Sequence, residues 1–506
     1  MRPVVSTPIG NESRVKGRIV LPGKPPTFLF LVIAGVFLVP YSGSAQEEEL
    51  SPATRTALGI RALRQGLEEG ADEVRECASV GLAGLDLPEA FLLLEQSLSH
   101  ADRKVRIAAE NALIRRGDPS ILPSVQRNLQ ARTWRIRREA LRDYARIAGS
   151  EAVPTLTRFL LSQKQPISVR AAAADGLGIV RDSGSAANLL AQLESDQQVL
   201  RLHAILALGE IASPGAVAPL REYLQDLEDR YEQLLVLRAL ALTGDPEGFQ
   251  GLERYLLSEN RRHRTLARRT FLQRGTRYAH AVFRRALPVA NPPAQFELIL
   301  ALVEGGDRQS VPALQLLLES GETHVREVAA AALVRFGNHD GYGILRKRMR
   351  ESVWRYRDPV VLILAEGQDP VIGYIVQERF RKGEGPERFW AATVLIRFGF
   401  SPAARFLERI ASQKDSPFRH RAAEALAREG DWSGLPALAD RLGEGCGSGS
   451  TPELSLFRSA PPEKVLPMLD FFLRRGSPLA RVNSAAVLLA ILGDTASLPD
   501  GPPDLD

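Results

Sequence analysis

An arginine recurs along this chain at an almost constant interval, and no other feature constrains the fold as much. Arg75, Arg106, Arg137, Arg170, Arg201, Arg264, Arg326, Arg357, Arg388 and Arg419 stand mostly 31 residues apart, with Glu232 and Gln295 where two steps double. Self-similarity over so many periods means one supersecondary unit repeated, each copy too small to bury its apolar face without its neighbours.

Other columns move with this marker arginine. Three residues on stand Ala78, Ala109, Ala140, Ala173, Ala204, Ala267, Ala329, Val360, Ala391 and Ala422; seven on stand Leu82, Leu113, Tyr144, Leu177, Leu208, Phe271, Leu333, Leu364, Leu395 and Leu426. Offsets of three and seven share one helical face, so a small residue admits a neighbouring helix and a large one fills the space beside it. Eleven on stand Gly117, Gly275, Gly306, Gly337, Gly399 and Gly430, suited to the left-handed residue that ends a helix. A second helix fits before the next marker, with Pro123, Pro154, Pro312 and Pro436 in its first turn. Asp102, Thr133, Asn260 and Asp415, four before the marker, are predicted N-caps of the marker helix. No segment alternates with period two for long enough to form a sheet.

The recurring pattern, xxPxLxxxL followed by xxVRxxAAxALxxxGD, resembles HEAT repeats, in particular the short repeat of the phycobilisome-lyase type. The resemblance covers about residues 50–494. It implies an all-α fold, an α-solenoid of the armadillo/HEAT superhelical type, with about 13 two-helix repeats. The expected organisation is a signal peptide over 1–45, a repeat array over 46–445, a Gly/Ser-rich irregular segment over 446–462, a last repeat over 463–494 and a disordered tail over 495–506. Each unit is expected to touch only its neighbours. On that basis Cys77 and Cys446, about twelve repeats apart, cannot pair within one chain.

The N-terminal stretch reads as an export signal. Arg2, Arg14, Lys16, Arg18 and Lys24 precede twelve apolar residues, Phe28 to Val39, and Gly43 and Ala45 form a small-x-small site ahead of Gln46. Twelve helical residues reach roughly 18 Å, short of the ~30 Å hydrocarbon core. The mature chain is therefore expected from Gln46, periplasmic or extracellular, with no stable membrane span; the alternative is an anchor formed by an uncleaved signal. Removing 1–45 takes five basic residues and one acid from a net charge of +5 and leaves about +1. The basic isoelectric point belongs mostly to the leader and gives no ground for a nucleic-acid partner.

No catalytic constellation is legible. The histidines, His100, His203, His263, His280, His324, His339 and His420, form no HExxH or HxxxH spacing, and the His-Glu dipeptides of the HEAT-like enzyme deoxyhypusine hydroxylase are absent. No phosphate-binding glycine loop or nucleophile elbow occurs, so the expectation is a non-enzyme without cofactor or metal. Cys77 and His203 share a column with Ala108, which points to packing.

One charge feature stands apart. Residues 251–285 hold ten arginines against Glu253 and Glu259, with acidic stretches on either side. The candidate binding residues there are Arg261, Arg262, Arg268, Arg269, Arg284 and Arg285; a smaller cluster is Arg346, Lys347, Arg348, Arg350, Arg355 and Arg357, with Trp354 and Tyr356 among them. Either neighbouring units pair these charges, or the patch meets an acidic partner. The marker arginines themselves are expected to be structural. The leading functional expectation is an exported scaffold or adaptor that binds unidentified protein partners over a curved surface. The alternatives are a binder of an anionic envelope polymer or lipid through 251–285, and a lyase-related factor, which the family resemblance implies and the export signal opposes.

Overall fold

The computed structural model describes residues 50–351, 359–443 and 452–496. Every regular element among them is an α-helix or a 3₁₀ turn, from Pro52–Glu69 to Pro478–Ala496. They alternate as the columns require: each marker helix (Asp72–Ala83, Arg103–Arg116, Trp134–Ala148, Ile167–Val180 and so on) follows a second helix, in most units a shorter one, and many are opened or closed by a 3₁₀ turn. Pro123, Pro154, Pro312 and Pro436 all sit in the first turn of that shorter helix, where a missing N–H costs nothing.

The small-residue column does what small residues permit. Ala78, Ala109, Ala173, Ala204, Ala267, Ala329, Ala391 and Ala422 are completely buried, and marker helix Gln198–Ile211 packs on both Ile167–Val180 and Arg230–Leu242. The approach reaches backbone contact: a Cβ at Gly178 would lie 2.9 Å from Ala207 Cα, and one at Gly209 3.1 Å from Ala239 Cα. Leu82, Leu113, Leu177, Leu208, Phe271 and Leu333 fill the adjacent space and are buried. At offset eleven, all six glycines have positive φ.

Some capping expectations fail. Asp102 and Asn260 accept hydrogen bonds from the N–H of Lys104 (2.8 Å) and Arg262 (2.9 Å). Thr133 is in the N-cap position but makes no side-chain cap. Asp415 is not a cap at all, because its helix begins at Arg419 after a turn through Phe418.

The expectation of purely nearest-neighbour contacts is also wrong. Among the described residues, the first helix, Pro52–Glu69, packs along the last, Pro478–Ala496, which also meets marker helix Asp72–Ala83. Within Val39–Asp506, a single compact unit, the array therefore closes on itself. Gly59 and Gly66, seven apart on one face, make this possible: Cβ atoms there would lie 2.9 Å from Leu489 Cγ and 2.4 Å from Val482 Cγ2. A buried ion pair seals the junction, with Arg55 Nη2 2.9 Å from Asp470 Oδ2 and its Nε 3.0 Å from the same oxygen.

Closure removes the premise that kept the cysteines apart. Cys77 is buried and disulfide-bonded; the sequence holds one other cysteine, Cys446, outside the described residues. The segment 446–462 is not irregular throughout, since Pro452–Ser459 is a helix in marker register, with Phe457 and Ala460 buried. The Gly/Ser run before it hid that unit from the periodicity. The last pair is Pro462–Arg475 and Pro478–Ala496. The predicted signal peptide 1–45, Arg357 with Arg355, Trp354 and Tyr356, and the tail beyond 496 lie outside the described residues. No described helix is long and apolar enough to cross a membrane.

Candidate arginine-lined partner site

A helix leaves its last carbonyls without intrahelical partners, and the marker arginines bond to them and to the loop that follows. Arg106 donates to the carbonyls of His100 (2.6 Å) and Ala101 (2.8 Å). Arg137 repeats this at Ala131 (2.7 Å) and Arg132 (2.9 Å), Arg264 at Ser258 (2.8 Å) and Glu259 (2.9 Å), and Arg326 at Ser320 (2.6 Å) and Gly321 (3.0 Å). Arg201 holds Ser195 O at 2.9 Å. Arg75, Arg170 and Arg419 reach further back, to Leu67, Leu160 and Ala411. Arg388 lies 5.0 Å over the rings of Phe380 and Phe406. The column thus ties the two helices of a unit together.

Where the marker is acidic, the tie runs between units. Glu232 is fully buried and accepts from Arg201 Nε at 2.9 Å and from the Tyr223 hydroxyl at 2.6 Å. Burial, and then the Glu232 carboxylate, push the Tyr223 hydroxyl up to about 12. The same bond to Glu232 holds the Arg201 guanidinium above its ordinary range.

The arginine-rich stretch is only partly neutralised. Arg284 meets Asp307 at 2.7 Å and Arg285 pairs with Glu253. Three guanidiniums converge on Glu297: Arg264 at 2.8 Å, Arg268 at 3.3 Å and Arg261 at 3.8 Å. Arg261 is 86% exposed, so its pairing is weak. Arg262 and Arg269 are exposed and pair with no acid among the described residues. In the smaller cluster, Arg348 meets Glu327 at 2.9 Å. Of the six candidate residues, Arg268, Arg284 and Arg285 are therefore tied into the array, while Arg261, Arg262 and Arg269 face outward.

Those three border two clefts flanking the helix Arg261–Arg274. One, of about 980 Å³, is bordered by Tyr231, Arg262, His263 and Arg269. The other, of about 710 Å³, lies against helix Pro292–Glu304 and is lined by Arg261, Arg268, Leu272, His280, Phe296 and Glu297, among others. Leu272 is an exposed large apolar side chain. Sequence reasoning found the arginines but missed Glu297 and His280. Glu297 carried a usable signal, an acid about one period beyond Arg264; His280 carried none.

The other histidines are dispersed. His203 is half-buried and lies 2.5 Å from Asp175, which also takes Arg142 at 2.5 Å. His263 stacks on Tyr231 and meets Tyr255 edge-on. Among the described residues, no group of three or more His, Cys, Asp or Glu is placed to hold a metal ion.

The fold defines a class: an all-α array of helical pairs with a two-residue-type packing column. Residues 60–142, 122–201 and 186–270 match the family described as HEAT repeats, so this part of the chain is an array of HEAT repeats. No curated protein matches it by sequence. Among solved structures, it is similar to Kap95p in complex with RanGDP (13% identity, 87% of this chain and 68% of that one, TM-score 0.41). It is similar also to the karyopherin Kap121p bound to the extreme C-terminus of the protein phosphatase Cdc14p (14%, 86% and 55%, TM-score 0.40). Human deoxyhypusine hydroxylase is a further match (19%, 57% and 99%, TM-score 0.20). The chain spans 54–60% of the length of the first Kap121p structures it matches.

Proposed function

We propose that this HEAT-repeat array is a non-enzymatic scaffold, exported from the cytoplasm, that holds an acidic protein partner against the marker helices around Arg261–Arg274. The observation that carries this reading is the uneven charge pairing among the six candidate residues: Arg268, Arg284 and Arg285 are tied to acids of the array, whereas Arg261, Arg262 and Arg269 stand exposed beside two clefts. A planar guanidinium left in that state suits carboxylate recognition. Export is supported by the apolar run ahead of Ala45 and by the disulfide at Cys77, a bond that persists in oxidising compartments and is rare in the cytosol.

The test is capture of partners from the exported fraction by the wild-type chain and by an Arg261→Glu/Arg262→Glu/Arg269→Glu variant. The scaffold reading expects defined proteins, released by salt and lost in the variant, while helical content is unchanged. Capture of an anionic polymer or lipid in place of protein selects the alternative, and identical capture by both chains removes the patch from function. Intact mass of the exported chain, expected to begin at Gln46, tests the export step.

A further inference from the structure

We infer that the 710 Å³ cleft between helices Arg261–Arg274 and Pro292–Glu304 is a receptor for an acidic peptide segment of a partner, one in which a carboxylate side chain is followed by an apolar one. The inference rests on the scaffold reading and gives it a ligand class.

The charge at one end of the cleft is incomplete. Arg261, Arg264 and Arg268 all direct their guanidiniums to the single carboxylate of Glu297. One negative charge facing three positive ones leaves an excess of two at that end; Glu304, the other acid of the lining, is exposed and belongs to the far end of its helix. Arg264 is further committed to Ser258 O and Glu259 O, so Arg261 and Arg268 are the groups with donors to spare. Arginine presents five N–H donors in a planar fork, and a carboxylate accepts two at once. A partner carboxylate entering beside Arg261 would supply the missing charge without breaking the Glu297 cluster.

The rest of the lining does not suit a bare anion. Leu272, Phe296 and Leu300 make an apolar wall along the cleft, and a phosphate or sulfate would gain nothing from it. A Leu, Phe or Met side chain next to the carboxylate would bury there, at roughly 25 cal/mol per Å² removed from water. Among the lining residues the His280 imidazole is 5% exposed, and its Nε2 has no hydrogen-bond partner among the described residues. The ring lies so close over Gly305 that a Cβ there would fall 2.2 Å from Nε2. A buried polar atom without a partner is costly, and this one belongs to a residue that lines the cleft. Excess positive charge, an apolar wall and one unsatisfied polar atom therefore stand in a single cleft.

The probe is a fluorescent eight-residue peptide alternating Asp with Leu and Phe, titrated by anisotropy against the full mature chain, with its Asn-for-Asp isostere and inorganic phosphate as comparators. Expected are binding by the Asp peptide that weakens as salt rises, at least tenfold weaker binding of the Asn isostere, and no displacement by millimolar phosphate. Arg261→Ala, at a mostly exposed side chain, should weaken binding about tenfold with the unfolding midpoint unchanged. Phe296→Ala should weaken it as well. Glu297→Gln removes the competing internal carboxylate and should tighten binding several-fold, a gain that a purely structural Glu297 would not give. Equal binding of the Asn isostere, displacement by phosphate, or unchanged affinity in both Arg261→Ala and Glu297→Gln overturns the inference. If the peptide fails while the triple charge reversal still abolishes partner capture, the scaffold reading survives without this cleft.

Discussion

Replacing Ala212 by glycine should stabilise the protein, the opposite of what helix propensity alone gives. Eleven residues past most markers the backbone turns left-handed, whether or not glycine is there. Gly306 and Gly337 have φ of 67° and 86°; in units without that glycine, Arg181, Ala212 and Gln368 hold 58°, 53° and 49°. Ala212 keeps this conformation because its N–H closes the helix on Leu208 O at 3.0 Å and sends the chain into the next unit. Holding an L-residue there costs about 1–2 kcal/mol, and the freer unfolded chain of glycine takes back about 0.4–1 kcal/mol. The net gain expected for Ala212→Gly is about 0.5–1 kcal/mol. Gly306→Ala should lose a similar amount, and the loss would come from the backbone alone, since a Cβ at Gly306 meets nothing within 4 Å. Because an array need not unfold in two states, the assay is native-state hydrogen exchange of helices Gln198–Ile211 and Pro292–Glu304 beside urea unfolding. A loss of protection in Ala212→Gly, or no change in Gly306→Ala, would refute the reasoning.

Arg55→Leu leaves Asp470 buried without its partner and should cost about 3–5 kcal/mol, whereas Arg55→Leu/Asp470→Leu should unfold near the wild-type urea midpoint; equal loss in both variants would assign the cost to packing. Tyr223 and Tyr342 are both raised to about 12, by burial first and then by Glu232 and Asp369 respectively. Folding therefore favours their protonated forms, and their contribution, complete below the unfolded value near 10, should fade between about pH 10 and 12. Spectrophotometric titration of Glu232→Gln should find one tyrosine ionising earlier than in the wild type. Alkylation in denaturant without reductant should leave Cys77 unmodified by peptide mass, and modification would contradict the disulfide.

The unit was legible in the sequence because its chemistry is local. Alanine at offset three, leucine at seven and glycine at eleven are each dictated by contacts within a unit or with the next one, and they repeat often enough to be read. Glu232 interrupts the arginine column and serves as an acceptor there, taking Arg201 from the preceding unit and the Tyr223 hydroxyl. Closure could not be read in the same way. It depends on a small rotation per unit accumulated over the whole array, and on Gly59, Gly66 and Asp470, residues that fall in no column. The candidate site was half legible for a related reason. Ten arginines in one stretch are conspicuous, but which of them are neutralised depends on Glu297 and Asp307 one unit further on.

Closure of the array is tested most directly by hydrogen exchange in the first helix, Pro52–Glu69, after the chain is cut short at residue 461 so that the final helical pair is missing. In a closed array that helix loses the partner lying along Gly59 and Gly66, and its amides should exchange faster, by the free energy of the lost junction. Helices such as Ile167–Val180, in the middle of the chain, should stay protected. Unchanged protection in Pro52–Glu69, with losses confined to the units beside the cut, would show an open stack and contradict the closed fold.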